Sequence, residues 1–516
     1  MPRASRASAL ILLLMFSVSA ARSQAQQQSA TPATETEQSY RRARAVLDAA
    51  ARALAGDKPL PGMDAVFFKI TGKLYHRNQS QRADGPPDAT PFAGEVAVDF
   101  PRNWMVFERS SSFPGGFDFS NRWVRKGEEA TNYNLLRKQH SPTQNSGVFF
   151  ENVALRRLPQ HHVKTAQERA TSLRWVGEAE FNGTKHNVVS YATAAGGVVT
   201  LYFDAQTNLL SKFETLTSDA LFGDVVAETS FTGYQTVGGI PLPTGQVDKR
   251  GGVLTLDVSF SGHTVAPLPE SAFAPLPGFT AAAQAPAAQP AVRELAKDVY
   301  LVEGLGGGGY RVLFVSMRDF VMVAEAPLNE ETTETVLRLI RETVPSKPIR
   351  FVAITHHHDD HSGGLRGYMA EGITLVTTPG NINFLRSVMR AQFTIQPDAY
   401  ARSGRRGGPV DLVENGKAVF TDGVRTLELL DIGPGPHAQE MLVVWLPQEK
   451  ILFQGDLLNR AVGGSLQAAN DTTAHFYEWL KRSGLPVEKL IGVHSQASAM
   501  ADLETTMEMR RQRLCR

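Results

Sequence analysis

The sequence ITHHHDDHSGG, residues 354–364, places four of the chain's 13 histidines and two aspartates within six consecutive positions. Such a run could be a solvated loop, but its histidines directly follow the apolar stretch IRFVAIT, residues 349–355. That stretch predicts a strand buried on both faces. In open α/β sheets, ligands bind where the carboxyl end of a strand passes into a loop. The position of the run therefore predicts a ligand site.

Four side chains of this run are predicted to converge. His356 and His358 are two residues apart, so an extended backbone points both in the same direction. Asp360 and His361 follow where the chain turns, and the Ser-Gly-Gly sequence at 362–364 allows close approach before a short helix. Histidines and carboxylates that meet at the end of a strand are typical of a metal site.

Other conspicuous residues are left out of the predicted site. His357 and Asp359 alternate to the opposite side of an extended backbone. The glycine run 306–309 lacks the Lys-Ser/Thr ending of a phosphate-binding loop and leads into a further strand, so we expect a tight hairpin there.

The chain divides into two halves of different texture. From about 65 to about 258, runs rich in Val, Phe, Thr and Tyr alternate with turn residues, which predicts a mainly antiparallel β domain. Later strand-like runs alternate with helical patterns and predict an α/β domain. The predicted boundaries are 1–25 for a signal peptide, 26–60 for a spacer and helix, 61–273 for the β-rich domain, 274–292 for a Pro- and Ala-rich linker, and 293–516 for the α/β domain.

The first residues indicate export. Arg3 and Arg6 precede an apolar run, Ala9 to Val18, which is followed by small residues. This layout is typical of a secretory signal peptide and predicts a periplasmic or secreted protein; an uncleaved N-terminal anchor is the alternative. No later segment is apolar enough to predict a transmembrane helix.

Composition narrows the partners and the chemistry. The formal net charge of +1 offers no electrostatic footprint for nucleic acid, whereas a small-molecule substrate needs only a local patch. Cys515 is the single cysteine, so neither an intramolecular disulfide nor a catalytic thiol is expected. The sequence does not indicate an oligomeric state.

The spacing His-X-His-X-Asp-His at 356–361 resembles the signature of the metallo-β-lactamase superfamily. The resemblance extends from about Leu295 to the C-terminus. Further candidate ligands occur in the order typical of that superfamily: His437 between two strand-like runs, Asp456 after an apolar strand, and His494 after a short apolar run. The resemblance implies an αββα sandwich for this half of the chain.

The resemblance also implies a ligand set. One metal would be bound by His356, His358 and His437, and a second by Asp360, His361 and His494, with Asp456 bridging the two. Imidazole-rich sites with an open position suit zinc. Some superfamily members that reduce oxygen at two irons carry Glu where this chain has His358, so the histidine favours a hydrolytic dinuclear zinc site. Asp360 would also orient the attacking water, which makes it the predicted catalytic residue.

The expected activity is hydrolysis of an ester, thioester, lactone or amide bond. An aspartate at 456, where some β-lactamase subclasses have Cys or Ser, looks more like the broad hydrolase branch typified by glyoxalase II and lactonases. A β-lactamase is one alternative. A periplasmic carrier is another, in which the β-rich domain binds an apolar ligand and the metal domain is subsidiary.

Overall fold

The computed structural model describes residues 33–282, 289–458 and 466–515. The predicted signal peptide, 1–25, lies outside the described residues, as does the middle of the predicted linker. Within the described ranges, no helix has both the length and the apolar character needed to cross a bilayer.

The first half is built mainly from strands. Its strands are β1 Ala65–Tyr75, β2 Ala89–Asp99, β3 Trp104–Phe113, β4 Phe117–Lys126, β5 Glu129–Asn134, β6 Gln139–Pro142, β7 Arg174–Phe181, β8 Thr184–Ala192, β9 Val198–Asp204, β10 Leu210–Asp219, β11 Gly223–Phe231, β12 Tyr234–Val237, β13 Ile240–Pro243, β14 Gly245–Arg250, β15 Val253–Thr264 and β16 Thr280–Ala281. Its α-helices are Glu35–Ala55, Ser146–Val153 and Pro159–Glu168.

The second half alternates strands and helices. Its strands are β17 Ala291–Ala296, β18 Val299–Leu305, β19 Tyr310–Ser316, β20 Val321–Ala324, β21 Ile349–Ala353, β22 Thr374–Thr377, β23 Val410–Leu412, β24 Lys417–Thr421, β25 Thr426–Asp431, β26 Leu442–Leu446, β27 Ile451–Phe453 and β28 Lys489–Ile491. Its α-helices are Glu330–Thr343, Asp359–Ser362, Leu365–Ala370, Ile382–Arg390, Ala399–Ser403, Asp471–Ser483 and Met500–Leu514.

Most strands of the first half form a single 14-stranded sheet with the order β16-β6-β5-β4-β3-β2-β1-β15-β14-β11-β10-β9-β8-β7. Neighbours pair antiparallel, except that β16 runs parallel to β6. The predicted mainly antiparallel domain is therefore confirmed. Helices 146–153 and 159–168 pack on the sheet through apolar clusters, which bury one side of strands that would otherwise expose it.

Two segments outside the predicted β-rich boundaries are part of this domain: one is a helix that packs on the sheet, and the other is a strand at its edge. Helix 35–55 begins after Thr34, whose hydroxyl accepts a hydrogen bond from the backbone N–H of Glu37. Its apolar stripe, including Leu47 and Leu54, is fully buried in the cluster that covers β8 to β10. Strand β16 lies within the predicted linker and extends the opposite edge of the sheet.

The second half is a four-layer sandwich. Strands β17 to β23 form one sheet, and β24 to β28 form the other. An apolar cluster drawn from both sheets fills the space between them, while two further clusters pack helices on the outer faces. This arrangement confirms the expected αββα architecture.

The two halves share a core. The turn between β10 and β11 enters the second half, where Leu221 is 1% exposed and belongs to the cluster under the outer helices. The backbone N–H of Asp224 donates to Gln392 O over 2.7 Å, and its carboxylate accepts from the backbone N–H groups of Thr394 (2.8 Å) and Ile395 (3.1 Å). The β-rich half is thus joined to the sandwich by noncovalent packing as well as by the polypeptide backbone.

Candidate metal centre

The histidine run begins where β21 ends. Strand β21 lies parallel to β20 and β22 within the buried sheet, and helix 359–362 starts directly after His358. The Ser362 hydroxyl donates to the carbonyls of His357 (2.8 Å) and His358 (2.9 Å), which holds the turn. A Cβ on Gly363 would lie 2.0 Å from Leu328 O, so glycine is required for the close approach expected from the sequence.

His356, His358 and His437 form the first donor group. All three are buried, and one potential ligand atom from each lies within 4.8 Å of the others. Nε2 of His356 is 3.1 Å from Nε2 of His437. Two nitrogens bound to one tetrahedral zinc at about 2.0–2.1 Å are about 3.3 Å apart, so this separation fits a shared cation. Nδ1 of His358 is buried and has no hydrogen-bond partner among the described residues.

Asp360, His361, Asp456 and His494 form the second donor group. Nε2 of His361 and Nε2 of His494 are 3.3 Å apart. Oδ2 of Asp360 is 3.2 Å from Nε2 of His494 and 3.6 Å from Nε2 of His361. These separations again fit donors arranged around one cation.

Asp456 lies between the two groups. It follows β27 and is 7% exposed. Its Oδ2 is 3.2 Å from His361 Nε2, in the second group, and 3.5 Å from His437 Nε2, in the first. Its Oδ1 is 3.3 Å from His494 Nε2. The carboxylate therefore lies within reach of histidines from both donor groups.

Several of the rings are oriented through the nitrogen that faces away from the donor group. In each case an oxygen acceptor lies close to that nitrogen, which keeps the proton there and leaves the other lone pair for a metal. The pairs are His361 Nδ1 with Glu325 Oε2 at 3.0 Å, His494 Nδ1 with Gly309 O at 3.1 Å, and His358 Nε2 with Ser80 O at 3.0 Å. The donor set thus fits divalent metal ions in residue type, spacing and ring orientation.

Burial and charge act differently on the two groups. Burial lowers the pKa of His356 and of His358 well below the ordinary histidine value, so both rings are neutral at neutral pH. Burial also disfavours a charged His361, but Asp456, Asp360 and Glu325 outweigh it and raise its pKa. Because a metal ligand must present a free lone pair, cation uptake by the second group releases protons.

Glu325 was not anticipated from the sequence. It follows β20, is fully buried and adopts φ +94°, a strained conformation for this residue type. Its Oε1 accepts from the backbone N–H of Thr355 (3.1 Å), and its Oε2 contacts His361. A carboxylate at the end of an apolar strand beside the histidine strand was the available signal.

We expect Glu325→Gln to weaken the binding of a divalent metal ion by about 10- to 100-fold, because an amide offers one acceptor oxygen where the carboxylate offers two. Chelator competition with zinc as the probe ion would measure the dissociation constants. Glu334→Gln, an exposed position on helix 330–343, is the matched control. Wild-type affinity in Glu325→Gln would show that Glu325 does not orient His361.

The prediction left His357, Asp359 and the glycine run 306–309 out of the site. His357 is buried and packs edge-on against Phe384, with ring centroids 5.7 Å apart. Asp359 belongs to neither donor group. Residues 306–309 form the turn of the antiparallel β18–β19 hairpin, as predicted, and Gly309 O contacts His494.

The β-rich half also reaches the site, which the sequence did not reveal. Gly115, at φ +91°, lies so close to the second half that a Cβ there would be 2.3 Å from Thr472 Oγ1 and 3.1 Å from His437 Cα. Phe117 stacks edge-on against His437, with ring centroids 5.1 Å apart. Ser80 comes from the same half. No local pattern around these residues predicts the contacts.

Comparison with known proteins gives one family match. Residues 293–494 match the family model described as the metallo-beta-lactamase superfamily. Among curated proteins, the chain is similar to the alkyl/aryl-sulfatase BDS1 of Saccharomyces cerevisiae, with 24% identity over 190 residues. The matched region covers 31% of this chain and spans only 29% of the length of that relative.

Two solved structures are similar to part of this chain. The metallo-beta-lactamase from Pontibacter korlensis has 22% identity and a TM-score of 0.33, covering 43% of this chain and 99% of that chain. The metallo-beta-lactamase FIM-1 from Pseudomonas aeruginosa, in a mono-zinc form, has 20% identity and a TM-score of 0.33, covering 44% of this chain and 98% of that chain.

Proposed function

Since residues 293–494 belong to the metallo-β-lactamase superfamily, we propose that the protein is an exported hydrolase that cleaves an ester, thioester, lactone or amide bond at two zinc ions. The observation that carries the proposal is the meeting of two donor groups around the shared carboxylate of Asp456. When bound, such a metal pair lowers the pKa of a shared water to about 7 and polarises the scissile carbonyl. Export is supported by the pattern of the first 25 residues.

Individual residues of the chain have distinct roles in this proposal. Asp360 directs Oδ2 toward His494, and in this proposal it would accept a hydrogen bond from the attacking water and so fix the direction of attack. Tyr310 packs edge-on against His494, with ring centroids 4.6 Å apart. Burial and the carboxylates of Asp360 and Asp456 raise the pKa of Tyr310, so its phenol keeps its proton, and can donate a hydrogen bond, to a higher pH than an ordinary tyrosine.

Two other substrate classes belong in any test. β-Lactams are disfavoured by Asp456, since the β-lactamase subclasses with Cys or Ser at this position depart from the present donor set. Sulfate esters are included in the test because the matched yeast relative is named an alkyl/aryl-sulfatase. β-Lactams share with the proposed substrates a planar carbonyl carbon that becomes tetrahedral on attack, whereas the sulfur of a sulfate ester is tetrahedral before attack. In both classes negative charge on oxygen in the transition state can be stabilised by a metal pair.

Metal analysis combined with a substrate panel tests the proposal. We expect the purified full-length chain to contain two zinc ions and to hydrolyse aryl esters, acyl-lactones or thioesters faster than nitrocefin or aryl sulfates. Chelation is expected to remove the activity and added zinc to restore it, because in this proposal the metal pair supplies the activated water. Turnover that survives complete metal removal would contradict the proposal. A rate on nitrocefin or on aryl sulfates far above all others would replace the substrate class.

A further inference from the structure

The connection between β1 and β2 crosses the metal centre. This segment, residues 76–88, is called the strap here. Its backbone contacts both ligand-bearing loops: the N–H of Asp359 donates to Asn78 O over 3.2 Å, and the N–H of Gln439 donates to Gln81 O over 2.7 Å. The Gln81 side chain also donates to Gly435 O over 2.6 Å. The strap therefore joins the histidine run to the loop that carries His437.

Internal hydrogen bonds hold the strap in shape. The Ser80 hydroxyl donates to His76 O over 2.5 Å and accepts from the backbone N–H of Asp88 over 2.8 Å. The Asp88 carboxylate in turn accepts from the backbone N–H of Gln81 over 2.7 Å. Ser80 is buried, and its carbonyl contacts Nε2 of His358. The segment is thus ordered by its own contacts as well as by those to the ligand loops.

Gln79 contacts two adjacent carboxylates. Its Nε2 lies 2.5 Å from Oδ1 of Asp359 and 2.7 Å from Oδ1 of Asp360. A primary amide carries two N–H hydrogens, so it can donate one to each oxygen. With Oδ1 of Asp360 engaged in this way, Oδ2 is left facing His494 and His361. The amide thereby selects which oxygen of Asp360 is presented to the second donor group.

The neighbouring carboxylates make this contact consequential. Asp359 and Asp360 are both partly buried, and the Gln79 amide lies within hydrogen-bond distance of one oxygen of each. A shared donor stabilises both anions without introducing a positive charge that would repel a cation. Without the amide, Oδ1 of Asp360 would lose this donor, and the side chain could rotate so that Oδ2 no longer faces His494 and His361.

We propose that Gln79 is a positioning residue for Asp360, so that the β-rich domain completes the metal centre of the other domain. The inference rests on the proposed function, since it assumes that the second donor group binds a metal ion. It assigns to the first half of the chain an indirect part in metal binding, through the orientation of a ligand side chain. Mutation of a polar group that orients a metal ligand typically lowers metal affinity by about 10- to 100-fold.

Zinc titration of the full-length Gln79→Met variant tests the inference with the metal alone. Methionine keeps an unbranched chain of similar length but has no N–H donor. We expect about 10- to 100-fold weaker binding of the zinc ion held by the second donor group, with the affinity of the first group within about twofold of wild type. Gln144→Met, at an exposed position, is the matched control and is expected to bind both ions normally.

Two further measurements separate a positioning role from a structural one. The melting temperature of the metal-free variant is expected to match that of the metal-free wild type, whereas a purely structural role would lower it and leave affinity unchanged. Gln79→Ala, which keeps the strap's backbone contacts, provides a second variant and is expected to show the same loss of affinity. Wild-type affinities in both variants would overturn the inference while leaving the proposed function intact. A wild-type chain that binds no zinc would instead overturn the proposed function and the inference with it.

Discussion

Asp360→Ala is expected to lower hydrolysis by about a thousandfold or more and to reduce the zinc content from two ions to one. The carboxylate contributes an oxygen to the second donor group, and in the proposed function it also orients the attacking water. Lewis-acid stabilisation by one metal ion is worth several kcal/mol, and each 1.4 kcal/mol or so is about tenfold in rate. Loss of the second ion alone therefore accounts for about three orders of magnitude.

Elemental analysis and steady-state kinetics on the best panel substrate measure the two effects. Asp411→Ala is the matched control, because Asp411 is an exposed carboxylate on β23, outside both donor groups. Circular dichroism establishes that each variant is folded. Wild-type turnover in Asp360→Ala with a full complement of zinc would rule out the role given to this residue.

Asp360→Asn refines the same experiment. The amide keeps one oxygen and the side-chain shape but lacks the charge, so we expect weaker binding of the second ion with partial retention of activity at high zinc. If activity instead stays absent when both ions are bound, the carboxylate acts on the attacking water as well as on the metal. The two variants together separate metal binding from orientation of the nucleophile.

Residues 291–516 produced alone are expected to be insoluble or to lose most of their hydrolytic activity. The isolated sandwich would expose the apolar surface that Leu221 covers in the intact chain, and it would lose the strap that contacts His358, Asp359 and Asp360. Exposed apolar patches created by truncation promote aggregation. Full activity in soluble 291–516 would show that the β-rich half is dispensable for the chemistry.

Leu221→Ala in the full chain measures the contribution of the shared core. We expect a loss of about 2–5 kcal/mol in the free energy of unfolding of the second half, because removing a buried leucine leaves a cavity. Leu216→Ala, an exposed leucine on the same hairpin at 54% exposure, is the matched control and is expected to change stability by less than about 0.5 kcal/mol. Chemical denaturation checks both values. Equal stability of the two variants would contradict the packing described for Leu221.

The carrier hypothesis makes a different prediction for the truncation. If the β-rich half only bound an apolar ligand, its removal would leave the metal centre and its turnover unchanged. The contacts of Ser80 and Gln79 with the histidine run instead connect this half directly to the ligand side chains. We therefore expect metal affinity, as well as stability, to depend on the first half.

Local patterns in the sequence predicted an α/β second half and a ligand site at residues 356–361. The αββα architecture and the ligand roles of His437, Asp456 and His494 were implied by the resemblance to the metallo-β-lactamase superfamily. An apolar strand followed by His-X-His-X-Asp-His brings four side chains together within one turn of chain, and His437, Asp456 and His494 each lie beside a short apolar run. The periodicity of helix 35–55 was visible in the same way, although its packing on the 14-stranded sheet was not.

Only the tertiary structure decided what surrounds the ligands. Gln79 and Asp360 are 281 positions apart in the sequence. Leu221 lies in a turn of the β-rich half, although its side chain packs in the core of the second half. Such contacts depend on how a completed sheet docks on a completed sandwich, and a polar segment such as the strap carries no periodicity that would predict its partner. Glu325 is intermediate between residues that the sequence identifies and residues that only the structure identifies. Its position at the end of a strand could be predicted from the sequence, but its hydrogen bond to His361 depends on the pairing of β20 with β21. The spacing of residues along the chain determines which side chains can come together locally. The packing of surfaces that are distant in sequence determines which groups orient those side chains.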